Sequence, residues 1–236
     1  MIFRLPFFFI FMIVLLNSCA IFDRFFLEEE LPPAELMKEG MEDFEKGYFE
    51  AAAIAFQKIK DRYPYSKYTL DAELKMADSL YMRELYDDAY EAYSEFEKLH
   101  PKNPQIPYVI FQRGMSHYSK VISVDRDQSD TIKAKEEFEL LVKRFPKSEY
   151  AKRAILKIRQ CYKYLAEYEL YVGHFYFRMK KYRAAISRYR SLIENYPDFG
   201  QYHEAIEYIS KSSKKLAEEK KPAESLWRNI TSPFSD

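Results

Sequence analysis

At 236 residues the chain is long enough for one or two ordinary domains, and its 37 Lys+Arg are balanced by 37 Asp+Glu. That balance argues against a general nucleic-acid binder, which needs a basic excess. Glycine is scarce (5) while Tyr (21) and Phe (19) are plentiful, as expected for a helical chain with recurring ring positions.

The first element reads as a targeting segment, kept apart from the fold. Arg4 supplies a short positive region, and Phe7 to Leu16 is an unbroken run of ten apolar residues, well short of the ~20 that span a bilayer as a helix. Leu16-Asn17-Ser18-Cys19 follows. It resembles a bacterial lipobox, in which the signal is cut before the Cys and that Cys takes the lipid. The alternative is an uncleaved anchor with an incidental Cys. On the first reading residues 1–18 are a signal peptide, Cys19 carries a covalent lipid, and 19–33 form a lipid-proximal tether closed by Pro32-Pro33. Ala20 in place of Asp resembles lipoproteins sorted to the outer membrane. Loss of Arg4 leaves 36 − 37 = −1. With Cys19 acylated, Cys161 is the only remaining thiol and no intramolecular disulfide can form. The periodic run Ala154, Ile158, Cys161, Leu165 predicts a small buried hydrophobe there.

The body, 34–221, reads as helical hairpins. The first pairs Ala34–Lys46 with Tyr48–Tyr63 around Gly47; the second pairs Lys67–Glu84 with Tyr86–His100, with Ser66 as a cap. One ruler measures them. Gly173, Ala185 and Tyr189 lie 24, 12 and 8 residues before Pro197. The same offsets place Gly40, Ala52 and Phe56 before Pro64, and Ala77, Ala89 and Tyr93 before Pro101. Ala134 and Phe138 keep the later two offsets before Pro146. Small residues let paired helices approach, the ring fills the space between them, and the proline ends the hairpin. Stacked neighbours supply the core that one hairpin lacks.

Two departures interrupt the ruler. Gly114 lies 32 residues before Pro146, and the excess of eight falls at 119–130, a polar insert bearing Asp125, Arg126, Asp127 and Asp130. It has no Gly at the bend and no closing Glu, which argues against an EF-hand calcium loop. The second departure is the 27 residues from Pro146 to Gly173, against 13 in earlier repeats. Ser148 to about Met179 therefore reads as one long helix that projects from the stack or braces its halves, 34–146 and 147–221. A last helix from about Gln201 to Lys220 precedes Pro222 and a tail, 222–236, with a short helix.

These offsets and residue types resemble the tetratricopeptide repeat (TPR). The implied fold is all-α, a TPR-like helical-hairpin solenoid of about five repeats with one over-long helix. No catalytic set is visible: His100, His117, His174 and His203 are scattered, none at metal-ligand spacing, and no phosphate loop or nucleophile elbow occurs. A non-enzyme without metal or soluble cofactor is expected. Phe44, Tyr81, Tyr118 and Phe177 each follow the small residue by four. In TPR geometry that position borders the concave groove, so these rings are either a peptide-binding ladder or part of the core between repeats.

A narrower resemblance is to the BamD (ComL-type) family of lipoproteins. It rests on NPQIPYVIFQRG at Asn103–Gly114, the Asp-Arg-Asp loop at Asp125–Asp127, RFPKSEYA at Arg144–Ala151, LAEYE at Leu165–Glu169 and AAISR at Ala184–Arg188. The family often has Asp before a Tyr where this chain has Pro107-Tyr108. The resemblance implies an outer-membrane, periplasm-facing adaptor of the β-barrel assembly machine. Its C-terminal half would dock the POTRA domain of BamA nearest the membrane, alongside accessory lipoproteins, and its N-terminal half would engage unfolded outer-membrane proteins. Arg188 matches the family arginine that pairs with a POTRA carboxylate. Another TPR lipoprotein, of pilus assembly or cell division, is the alternative.

Overall fold

The computed structural model describes residues 30–121 and 123–231, with side chains described through residue 219. The signal segment, Cys19 and most of the tether lie outside the described residues. Among the described residues the regular structure is entirely helical: α1 Pro33–Glu45, α2 Phe49–Arg62, α3 Thr69–Met82, α4 Tyr86–Leu99, α5 Ile106–Tyr118, α6 Ser129–Arg144, α7 Glu149–Arg178, α8 Tyr182–Asn195 and α9 Tyr202–Thr231. The chain divides inside α3, after Ala72, into two compact units. The first holds the α1–α2 hairpin. In the second, each helix from α4 to α9 packs on the next in chain order. This is the all-α, TPR-like architecture expected from the repeat offsets.

Each hairpin turn is built alike. Gly47 (φ 83°), Glu84 (φ 61°) and Lys180 (φ 57°) adopt the left-handed conformation, each seven residues after the small residue Gly40, Ala77 or Gly173. Their amides donate to the carbonyls of Phe44, Tyr81 and Phe177, and the next amides, of Tyr48, Leu85 and Lys181, reach back to Asp43, Leu80 and Tyr176 at 2.8–3.1 Å. This is the Schellman closure, which satisfies carbonyls left open at a helix end. Glycine takes the left-handed conformation freely, whereas Glu84 and Lys180 accept a cost of about 1–2 kcal/mol for it. The third hairpin lacks this turn, because the insert intervenes.

Inside the hairpins the small residue faces the ring. A Cβ on Gly40 would stand 2.6 Å from Cε1 of Phe56, and one on Gly114 would stand 2.5 Å from Cε1 of Phe138. Gly173 meets Tyr189 in the same way. Phe56, Tyr93, Phe138 and Tyr189 are all completely buried, each contributing roughly 1.5–3 kcal/mol by burial. Tyr63, His100 and Phe145, the residues before the prolines, leave the helical region at φ −127° to −133° and ψ 53° to 57°, as the following ring requires. Two residues after each of those prolines a polar side chain receives a backbone amide: Ser66 from Tyr68 (3.2 Å), Asn103 from Gln105 (2.8 Å) and Ser148 from Tyr150 (3.2 Å).

Helix α7 is 30 residues long, about 45 Å at 1.5 Å per residue. Its first half places Ala151, Ala154 and Cys161 in the core shared by α3 to α6, and its second half places Ala166 in the core shared with α8 and α9. It therefore braces the stack internally. At the far end the expected break at Pro222 is absent: α9 continues as one helix to Thr231. An interior proline removes one helical hydrogen bond and crowds the preceding turn, which can kink a helix without ending it.

The packing yields two predictions. Gly114→Ala should lower the unfolding free energy by about 1–3 kcal/mol, since Phe138 has no room to yield. In a Phe138→Leu background the same change should cost less, as urea denaturation would show. Burial also pushes the Cys161 thiol up to about 12, against weaker downward pulls from Lys157 and Lys135. At neutral pH in native buffer the peptide carrying Cys161 should resist iodoacetamide, and it should alkylate readily in denaturant, as mass spectrometry would record.

Candidate partner-binding site

The four ring positions each pack against a neighbouring ring. Phe44 stacks edge-on against Phe49 (5.3 Å), Tyr81 against Tyr86 (5.4 Å) and Phe177 against Tyr182 (5.6 Å). Each pair joins the last turn of one helix to the first turn of the next, clasping a hairpin. Tyr118 has no such partner, because the insert displaces the following helix. It packs on Phe138 and Tyr164, with Nζ of Lys157 3.9 Å from its ring centroid. Burial raises the Tyr118 hydroxyl to about 12, Tyr164 adding to the shift. All four rings are half-buried.

The insert is pinned by its own polar atoms. Buried Gln128 donates to the carbonyls of Ser123 (3.0 Å), Val124 (3.4 Å) and Arg126 (2.9 Å) and accepts from Thr131 (2.8 Å). Lys120 ties it to Asp87 (2.7 Å) and Asp130 (3.5 Å), while the His117 Nδ1 lies 2.9 Å from Asp130. Asp125 and Asp127 are bonded to Ser123 and Ser129, and these bonds lower both carboxyls. Among the described residues no group of His, Cys, Asp and Glu could hold a metal ion.

Three side-chain networks stand out in the second unit. Asp78 accepts from the hydroxyls of Tyr93 (2.7 Å) and Tyr108, and burial, reinforced by that carboxylate, raises both phenols. Arg113 on α5 pairs with Glu97 on α4 (2.6 Å) and Glu137 on α6, and Arg144 also reaches Glu97. This group locks three helices in register. Opposite charges there are nearly excluded from water, so removing one partner would cost more than the pair itself contributes.

The third network contains Arg188. Its Nη1 donates to both carboxylate oxygens of Glu169 on α7, at 3.2 and 3.4 Å. The Glu169 side chain is 10% exposed and the Arg188 side chain 41%. Among the described residues Nη2 and Nε of Arg188 have no hydrogen-bond partner. Arg188 is therefore half-exposed as expected, but it is not simply solvated: a buried carboxylate holds one of its nitrogens and leaves the others open. Glu169 also helps burial push up the hydroxyl of Tyr196, the ring before Pro197. The sequence carried a trace of this pair. Glu169 lies four residues after Leu165 and four before Gly173, a charge on the apolar stripe of a helix, which calls for a partner.

The chain matches the YfiO family, described as outer membrane lipoprotein, over residues 29–226. That span contains Glu169 and Arg188 and begins after Cys19. The chain is 36% identical over 165 residues to the outer membrane protein assembly factor BamD of Rickettsia prowazekii (strain Madrid E), covering 70% of this chain and 66% of that protein. It is 29% identical over 178 residues to the BamD of Caulobacter vibrioides, covering 75% of this chain and 58% of that protein. With the BamD of Xylella fastidiosa (strain 9a5c) it shares 29% identity over 189 residues, 76% of this chain and 65% of that protein. The chain thus spans 58–66% of the length of these relatives. By the extent of the family match, it belongs to the YfiO family of outer membrane lipoproteins.

Proposed function

We propose that the chain is a non-catalytic scaffold of the β-barrel assembly machine, held at the periplasmic face of the outer membrane by a lipid on Cys19. Its C-terminal half docks the POTRA domain of BamA through Arg188. The relatives' shared name, outer membrane protein assembly factor, supports the assembly role. The observation that carries the docking is the half-engaged guanidinium. Glu169 fixes the orientation of Arg188, and Nη2 and Nε remain available to a carboxylate on a partner. Both motifs that flank the contact, LAEYE and AAISR, belong to the resemblance with this family. The 119–130 insert and the over-long α7 favour this reading over a pilus-assembly or cell-division scaffold. The ring positions add no support for engagement of unfolded outer-membrane proteins: three clasp hairpins, and Tyr118 packs on Phe138 and Tyr164.

The contact to Glu169 decides how the role is tested. Arg188→Glu would set two carboxylates against each other at a buried site and would unsettle α7 against α8 whatever its effect on binding. Arg188→Gln and Glu169→Gln are cleaner. Loss of a charge-assisted contact is worth about 1.5–3 kcal/mol, so Arg188→Gln should weaken POTRA binding roughly ten- to hundredfold. Glu169→Gln, which keeps the arginine and an acceptor for it but weakens the contact that orients it, should cost less, up to about tenfold. Titration of full-length chain with the POTRA domains, with melting curves of each variant alongside, separates contact from folding. Equal losses in the two variants, or none in either, would contradict the docking role.

A further inference from the structure

The hairpin tip between α7 and α8 carries a charge pattern that the Arg188 contact does not use. From Leu170 to Ile193 there is no Asp or Glu, while Arg178, Lys180, Lys181 and Arg183 fall within six residues at the turn. All four are exposed, and among the described residues none forms an ion pair. The Schellman closure at Lys180 makes the turn tight and holds the four cations close together in the chain.

Apolar side chains stand among them. Tyr171, Phe175 and Met179 succeed one another at i, i+4 and i+8 along α7, and their exposure rises toward the tip, from 42% to 46% to 55%. Tyr164 and Tyr168 extend the same face backwards. The opposite side of the helix end is occupied, Phe177 packing on Tyr182 and Tyr208. The exposed stripe is therefore unpartnered on one side only. It ends where the unpaired cations begin.

We propose that this tip is a contact for an anionic lipid surface. Clustered Lys and Arg draw a protein to acidic headgroups, and an aromatic or thioether side chain beside them enters the boundary with the acyl chains. Exposed cations flanked by exposed apolar side chains match acidic headgroups over an acyl interior better than a wholly polar acidic peptide. The contact does not depend on Arg188, which lies on α8 and is turned toward Glu169.

The test uses the full chain with vesicles of phosphatidylcholine alone or of phosphatidylcholine and phosphatidylglycerol in equal parts. Any attachment through the N-terminus is then common to both. Amide hydrogen exchange is followed in peptides covering 175–183. Exchange should slow roughly tenfold or more with the anionic vesicles only, and the protection should fade as salt is raised. The variant Arg178→Gln/Lys180→Gln/Lys181→Gln/Arg183→Gln should lose the protection, and Phe175→Ser/Met179→Ser, with its cations intact, should keep only the salt-sensitive part. Equal exchange with the two vesicle types overturns the proposal. Protection of this segment by the POTRA domains and not by anionic vesicles would assign the cations to an acidic protein surface, and also overturns it.

Discussion

Everything in the molecule depends on how closely two helices of a hairpin can approach. The approach is set by one small residue facing one ring: Gly40 with Phe56, Gly114 with Phe138 and Gly173 with Tyr189. In these three hairpins the ring fills the space a Cβ would take, while in the second hairpin Ala77 and Tyr93 are both wholly buried in one core. Where no insert intervenes, the turn seven residues after the small residue closes tightly, and the Schellman bonds close it even where Glu84 or Lys180 must adopt a conformation suited to glycine. The proline eight residues beyond the ring then stops the helix and aims the chain into the next hairpin. Local rules and global packing thus agree in each repeat, the condition under which a repeated sequence specifies one structure.

This agreement explains why the fold was so legible. The offsets depend on contacts within one hairpin, so a single sequence displays them. The ends of α7 also follow from the spacing, because a stretch without proline or glycine has no reason to stop before Gly173 and the turn beyond it. Less legible were features decided between hairpins. Whether Tyr81 or Phe177 borders a groove or closes a turn depends on where the next helix begins, and only the structure shows the pairs with Tyr86 and Tyr182. Pro222 misled for the opposite reason: its local rule is real, yet helix α9 continues past it.

Charge was the hardest feature to read. Arg113, Glu97 and Glu137 look like ordinary residues of solvated faces, but they form a largely buried network across three helices, which the exposed Arg144 joins through Glu97. Arg188 was visible from its family motif, and its exposure followed from its place beside Tyr189. Its partner was not, since Glu169 is 19 residues away and on another helix. That pairing changes the meaning of the arginine. A free side chain would have to be ordered on binding, at a cost of roughly 1.5–2 kcal/mol of rotamer freedom. An arginine already held by a buried carboxylate presents its remaining N–H groups in a fixed direction, which is what recognition of a planar carboxylate requires. The scaffold and the contact are therefore one arrangement: the over-long α7 supplies Glu169, and the repeat supplies the register that brings Arg188 to it.

On the proposed docking through Arg188, partner contact falls at this junction of α7 and α8. Peptide-resolved hydrogen exchange of the full chain, with and without the POTRA domains of BamA, measures it most directly. Docking through Arg188 predicts protection concentrated in peptides from Leu165 to Asn195, with α1, α2 and the 119–130 insert unchanged. Protection centred on α1 and α2, or uniform slowing along the chain with none added at α8, would contradict it.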